Sequence, residues 1–331
     1  MAGHTVAIQF VRSALEPARA RGLDVQVVLD QAGIPSDLLA QDAARVTRSQ
    51  AERLIVALWD ATGDELIGIG PKPVPRGTFR MVTLGLIHAP DLSTALARLV
   101  EFSGIGMGVD VSDMSDDGRT ARLSFAGTGQ EAEGQLVMAV GMTVGHRFAA
   151  WLIGRQITLT AVDLPGPPPT HAAEFTAVFG VAPTFDAPQA AISFATPYLA
   201  APLVRGEDEL LEMIGQLPTS LFVRQDYKPT TASRVRKLIE RRAVEAVSVE
   251  DVARPLSVSA QHLRRQLREE GTTFRQIRDD VLRDEAIAAL VRGTESIEEV
   301  SSRLGFSESS AFRRAFRRWT GSPPGSYRPA P

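Results

Sequence analysis

The 331-residue sequence contains no cysteine, which excludes a disulfide framework, thiolate zinc sites, iron–sulfur ligation and cysteine nucleophiles. Long apolar stretches are missing as well. No run approaches the roughly 18 to 20 residues that a membrane span needs, and the opening MAGHTVAIQFVRSALEPARAR has neither the apolar core nor the cleavage site of a signal peptide. These absences predict a cytoplasmic chain with no membrane partner. Histidine is scarce, and His4, His88, His146, His171 and His262 never fall at metal-ligand spacing. There is no nucleophile elbow, phosphate loop or paired-carboxylate constellation. The run Gly104-Ile105-Gly106-Met107-Gly108 misses the dinucleotide fingerprint, whose last glycine would fall at Val109. No catalytic residue, metal site or cofactor is expected, and an enzyme is the weaker reading.

What is present is a separation of charge. The formal net charge is −3, but a cut before Pro218 leaves 15 Lys+Arg and 24 Asp+Glu in residues 1–217, or −9, against 21 and 15 in residues 218–331, or +6. A basic module that meets a polyanion, joined to an acidic module that does not, has this signature. The length suffices for about two or three domains with cores of their own.

The basic part contains an internal repeat. Ser248–Ser259, SVEDVARPLSVS, matches Ser296–Ser307, SIEEVSSRLGFS, so that Val249, Val252 and Leu256 correspond to Ile297, Val300 and Leu304. Their spacing of 3 and 4 places them on one helical face. Ser248 and Ser296 are placed as N-caps, with Asp251 and Glu299 three residues on as reciprocal partners. A tight break follows in each copy, with Gly305 in the second suited to a left-handed residue. Then comes a second helix. Leu263 and Leu267 in the first copy, and Phe312 and Phe316 in the second, are expected to point inward. Gln261, Arg264, Arg265 and Arg268, and likewise Ser310, Arg313, Arg314 and Arg317, share an outer face with the same spacing. An arginine stripe on one amphipathic helix is ordinarily a solvated face. Two stripes at matching positions of two similar capped units are the pattern of paired helix-turn-helix elements, and arginine is the side chain that pairs bidentately with guanine edges and phosphates.

The stretch from Gly305-Phe306-Ser307 through Phe312-Arg313-Arg314, Phe316-Arg317-Arg318-Trp319 and Gly321, followed by Ser322-Pro323 and Tyr327-Arg328, closely resembles the signature of the AraC/XylS family of bacterial transcription regulators. The first unit is similar too, in Leu263, Arg265, Leu267 and Glu270-Gly271-Thr272-Thr273-Phe274, so the likeness covers about Thr231 to Pro329. It implies a linker helix, here about Phe274 to Val291, holding two units so that both second helices enter successive major grooves, about 34 Å apart. By position, it makes Gln261, Arg264, Arg265, Ser310, Arg313 and Arg314 base or base-proximal contacts, and Arg268, Arg317 and Arg318 phosphate contacts. Ser259, Ser307 and Ser309 are candidates for caps or backbone contacts, and His262 is kept among the DNA-facing candidates with its role open. Three features depart from the pattern: Pro255 late in a helix, Ser257 where the second unit has glycine, and Leu282 where many relatives have arginine.

The fold expected overall is an α+β N-terminal sensing domain over residues 1–217, helical to about 70 and mixed from 71, a linker at 218–230, and an all-α double helix-turn-helix domain over 231–331. Helices are predicted at Arg48–Thr62, Leu92–Phe102, Gly134–Trp151 and Ala172–Phe179, with Phe10, Ala14 and Ala18 sharing a face of an earlier one. Strands are predicted at Gly108–Val111, Arg119–Phe125, Gln156–Val162, Pro183–Phe185 and Ala191–Phe194, with loops at Ser112–Gly118 and Pro165–Thr170. His171-Ala172-Ala173-Glu174-Phe175, Phe179-Gly180-Val181, Pro197-Tyr198-Leu199 and Pro202-Leu203 resemble the arabinose-binding-type effector domain of one branch of the family. That resemblance implies a small-molecule effector and leaves a homodimer open, with RNA polymerase a partner if transcription is raised. Phe102, Met107, Met138, Met142, Phe148 and Trp151 are the candidate lining of an apolar effector site, although such residues at helical spacing are more often plain core. The alternative is a regulator without a ligand, whose N-terminal domain only dimerises or binds protein partners.

Overall fold

The computed structural model describes residues 5–68, 72–103, 110–126, 132–169, 172–217, 231–241 and 247–329. Two compact units divide the chain: Met1–Val11, Leu29–Leu54 and Lys228–Pro331 form one, and Arg12–Val28 with Ile55–Tyr227 form the other. Compactness thus groups two N-terminal segments with the C-terminal helices, whereas charge and motif draw one contiguous boundary at 217. The expected linker at 218–230 lies outside the described residues.

The chain opens with β1 (Val6–Ala7), α1 (Ile8–Ala20), α2 (Val25–Ala32), a 3-10 turn at Ser36–Ala40, β2 (Arg45–Val46) and α3 (Arg48–Thr62). β1 and β2 pair antiparallel, Val6 opposite Val46 and Ala7 opposite Arg45. In α1 the fully buried row is Ile8, Val11, Leu15 and Ala18, spaced 3, 4 and 3 as one helical face requires. Of the row read from sequence, Ala14 and Ala18 are buried and Phe10 is half-exposed.

The larger unit carries α4 (Thr78–Leu86), α5 (Leu92–Ser103), β3 (Asp110–Asp116), β4 (Thr120–Ala126), α6 (Ala132–Leu152), β5 (Leu159–Asp163), α7 (Ala172–Phe179), β6 (Ala190–Ala195) and α8 (Glu207–Gly215). Its four strands form an antiparallel sheet in the order β3-β4-β6-β5. Ala121, Leu123 and Phe125 alternate along β4 and are buried; they sit opposite Phe194, Ile192 and Ala190 of β6. These cross-strand pairs fix the register, because a one-residue slip would turn every one of them to the other face.

Two expectations fail here. Ser112–Gly118 is predicted as a loop from its polar composition, yet Asp110–Asp116 is strand β3, at the sheet's edge, where charged side chains are tolerated and protect an unpaired ladder. Only the turn after it is loop: the Asp117 carboxylate accepts the N–H groups of Arg119 and Thr120 at 2.8 and 2.7 Å, which lowers its pKa. Pro183–Phe185 is predicted as a strand and makes just one parallel bridge, Thr184 to Asp163, since Pro183 brings no donor to a ladder. The helices α4 and α8 add two elements absent from the sequence reading.

The C-terminal helices are α9 (Thr231–Arg241), α10 (Val249–Ala253), α11 (Ala260–Glu269), α12 (Phe274–Arg292), α13 (Ile297–Arg303) and α14 (Ser309–Thr320), followed by a 3-10 turn at Pro324–Tyr327. Val235, Ile239, Val252, Leu263, Leu267 and Val281 close a core over the first helix-turn-helix. An aromatic chain, Phe306–Phe312–Phe316–Tyr327, with centroids 5.2 to 5.7 Å apart, closes the second. Between them α12 packs against α9, α13 and α14.

Candidate nucleic-acid interface

Each helix-turn-helix is built from the cap upward. Ser248 Oγ accepts the Asp251 N–H at 3.1 Å while the Asp251 carboxylate accepts the Ser248 N–H at 3.1 Å. Ser296 and Glu299 repeat this, at 3.1 and 2.6 Å, so both first helices begin with the reciprocal cap that satisfies their free donors. The turns repeat as well. Val258 N–H reaches back to Ala253 O at 3.2 Å and Ser257 N–H to Arg254 O at 3.1 Å; in the second unit Phe306 N–H reaches Ser301 O at 3.1 Å and Gly305 N–H reaches Ser302 O at 3.0 Å. This six-to-one closure needs a left-handed residue, and Gly305 (φ 77°) and Ser257 (φ 55°) supply it. α10 ends at Ala253, two residues before Pro255, as the missing donor and ring of proline require.

The second helices start differently. Ser259 caps α11 by accepting the His262 N–H at 3.1 Å. In α14 the capping position is Glu308, with no side-chain cap, and Ser309 is already helical. Neither Ser307 nor Ser309 is therefore a cap, because the capping position of α14 falls three residues after the left-handed Gly305, whereas that of α11 falls two after Ser257.

Leu263, Leu267, Phe312 and Phe316 are fully buried. Gln261, Arg264, Arg265, Arg268, Ser310, Arg313, Arg314, Arg317 and Arg318 are exposed, while His262 and Ser309 are half-buried. The structure thus brings the sequence candidates onto the outer faces of α11 and α14. Their electrostatic settings differ. Arg264 pairs with Glu250 at 3.2 Å and Arg313 with Glu298 at 2.9 Å. Arg265 lies 3.7 Å from Glu269 and 3.1 Å from His262 Nδ1. Among the described residues Arg314, Arg317 and Arg318 have no ion pair.

Sequence reasoning missed the group at the middle of α12. Asp284 is 3% exposed; it accepts Thr5 Oγ1–H at 2.6 Å and Arg283 Nη2–H at 3.1 Å, and it pairs with Arg236. Arg45 donates to Thr5 Oγ1 at 2.7 Å, and the Arg45 N–H donates to the Tyr327 hydroxyl at 3.2 Å. No periodic pattern signals a contact between residues so distant in sequence.

The six candidates for an effector lining fall into separate places. Phe102, Phe148 and Trp151 belong to a cluster formed by α4, α5, α6 and α8, where the rings of Phe148 and Trp151 stack at 5.8 Å. Met138 and Met142 are buried further toward the start of α6, and Met107 lies outside the described residues.

Residues 22–203 match the model described as the arabinose-binding domain of AraC transcription regulator, N-terminal, and residues 252–330 match a helix-turn-helix domain. The chain belongs to the AraC family of transcription regulators. The Ornithine utilization regulator of Pseudomonas aeruginosa is 28% identical over 333 aligned residues, 98% of this chain and 97% of that one. The HTH-type transcriptional regulator VqsM of the same organism is 42% identical over 74 residues, 22% of this chain and 23% of its own. The solved structure of the transcriptional regulator CdpR, also from P. aeruginosa, aligns over 97% of this chain and 98% of that one at 20% identity, with a TM-score of 0.32. Both matched domains and the AraC-type relatives are those of DNA-binding regulators rather than enzymes. Among the described residues no helix is long and apolar enough to cross a membrane.

Proposed function

We propose that this AraC-type regulator reads promoter DNA with α11 and α14, placed in successive major grooves, and that residues 1–217 bias the binding in response to a small molecule. Gln261, Arg264, Arg265, Ser310, Arg313 and Arg314 face base edges, while Arg268, Arg317 and Arg318 hold phosphates and set the register. One observation carries this reading: two units with the same cap and the same turn hydrogen bonds each expose an arginine face on the second helix. The test is a titration of duplex selected by the protein from a random library, beside duplex of random sequence. Arg314→Ala costs about 1–3 kcal/mol on the selected duplex and relaxes one base position, whereas Arg318→Ala weakens both duplexes and flattens the salt slope by about one. An equal loss on both duplexes for Arg314→Ala reassigns that residue to a phosphate.

The arabinose-binding-type match over residues 22–203 supports an effector in the N-terminal region. The relative aligned along nearly the whole chain is an ornithine utilization regulator, so L-ornithine is the first compound for a thermal-shift panel of small metabolites. A true effector at 100 times its dissociation constant adds about 2.7 kcal/mol of stability. Ligand-free protein that binds its selected duplex fully, unchanged by any metabolite or cell extract, favours instead a domain that meets only protein partners. The reading places the protein in the cytoplasm and, if it raises transcription, in contact with RNA polymerase.

A further inference from the structure

Both helix-turn-helix units carry the same cross-helix ion pair. Glu250 and Glu298 each occupy the second position of a first helix, and each carboxylate meets the fifth residue of the following helix: Arg264 at 3.2 Å and Arg313 at 2.9 Å. The reciprocal caps use the neighbouring acids, Asp251 and Glu299, so Glu250 and Glu298 are left for the arginines. All four side chains remain about half exposed or more, from 48% to 63%. A solvated pair of this kind adds little to stability. The carboxyl pKa of Glu298 lies below the ordinary range, through its own backbone N–H and then through the Arg313 guanidinium.

The setting makes the repetition informative. An acid near a helix start suits the dipole wherever its side chain points, but here both turn to the arginine that α11 and α14 present at one equivalent position. The arginines around them differ: in α14, Arg314, Arg317 and Arg318 have no ion pair among the described residues. On α14 one arginine is therefore held by an internal carboxylate while its neighbours are available to DNA; on α11 Arg264 is held in the same way, and Arg265 lies beside Glu269 of its own helix.

We propose that Glu250 and Glu298 act as specificity-determining residues, internal stand-ins for DNA that occupy Arg264 and Arg313 until a base edge of the right sequence displaces them. The inference rests on the DNA-reading role given above to α11 and α14. On duplex of arbitrary sequence each pair persists, so neither arginine joins the phosphate contacts and the carboxylates repel the backbone. On a matching site the guanidinium leaves its carboxylate for the two acceptors of a guanine, a bidentate exchange available only where that base lies under the helix. The cost of opening the pairs thus falls where sequence-specific contacts offset it.

The test compares the full chain with Glu250→Gln, Glu298→Gln and the double variant, titrating duplex of random sequence and the duplex that the wild type selects from a random library, at 50 to 200 mM salt. On random sequence each freed arginine adds one phosphate contact, steepening the slope of log K against log[salt] by about 0.9, which is about 3.5-fold more affinity lost over that range. At 50 mM the variants bind random sequence more tightly than wild type. On the selected duplex the slope stays as in wild type, so the specificity ratio falls. In an Arg313→Ala background Glu298→Gln leaves the slope unchanged, because the arginine it would free is gone. Unchanged slopes, or equal strengthening on both duplexes, overturn the proposal. A wild-type protein that selects no duplex instead removes the DNA-reading role on which it rests. Thermal unfolding of the variants separates a dipole effect, which lowers stability without moving the slope.

Discussion

Asp284 shows how a single carboxylate can be kept charged where water does not reach. Burial pushes its pKa up, but Arg283, Arg236, the Thr5 hydroxyl and Arg45 outweigh burial and leave it below the ordinary aspartate value. A carboxylate whose folded pKa is depressed contributes stability that is present above the unfolded value, about 3.9, and is lost as pH falls through the folded value. Asp284→Asn keeps the shape, removes the charge, and leaves Arg236 and Arg283 with their remaining partners, Glu240 and Asp280. Breaking such a buried pair costs about 3 kcal/mol, the low end of its range, because those partners persist. Urea unfolding at pH 7 is expected to show this as a lower midpoint with an unchanged slope. The difference from wild type narrows as pH drops below about 4; a gap that stays constant down to pH 3 would mean that the loss comes from replacing an acceptor oxygen by an amide donor and not from the charge.

At the scale of elements, the two turns form a built-in comparison. They close with the same hydrogen bonds, yet one places glycine and the other serine at the left-handed position. Ser257→Gly removes a Cβ from that conformation and is expected to stabilise the first unit by up to about 1 kcal/mol, measured as a raised urea midpoint; a lowered one would show that Ser257 is held by more than its backbone. Features of this local kind were legible in the sequence. α3 and α7 run over the residues their periodicity predicts, because caps and apolar spacing act within a few residues, and α12, whose bounds the family resemblance implies, starts at Phe274 and ends one residue beyond Val291. What was hidden depends on distant partners. β3 reads as a polar loop because an edge strand needs few apolar residues, and the two-residue strands β1 and β2 exist only through each other. The outward arginines of α11 and α14 were legible from spacing, but their tie to Glu250 and Glu298 was not, since periodicity says which face a side chain shares and not which charge it meets.

For the molecule as a whole, the consequential fact is that the unit containing both helix-turn-helix elements also contains Met1–Val11 and Leu29–Leu54. Thr5 and Arg45 complete the hydrogen bonding of Asp284 and Tyr327, and Gln41 lies against Gly321, where an added Cβ would come within 3.1 Å of its Oε1. A fragment of residues 228–331 keeps the arginine faces but loses these partners. Its α12 then carries a buried carboxylate short of one donor, and a hydrogen bond to a charged group contributes about 1.5–3 kcal/mol. Amide hydrogen exchange is expected to be at least about tenfold faster around Asp284 in the fragment than in the full chain, since about 1.4 kcal/mol of lost local stability corresponds to a factor of ten. The amides of α14 that face the aromatic chain, whose partners Phe306 and Tyr327 stay within the fragment, exchange more nearly alike in the two. Equal protection of α12 in both proteins would show that the N-terminal segments add nothing to this unit, and that its stability resides in residues 228–331 alone.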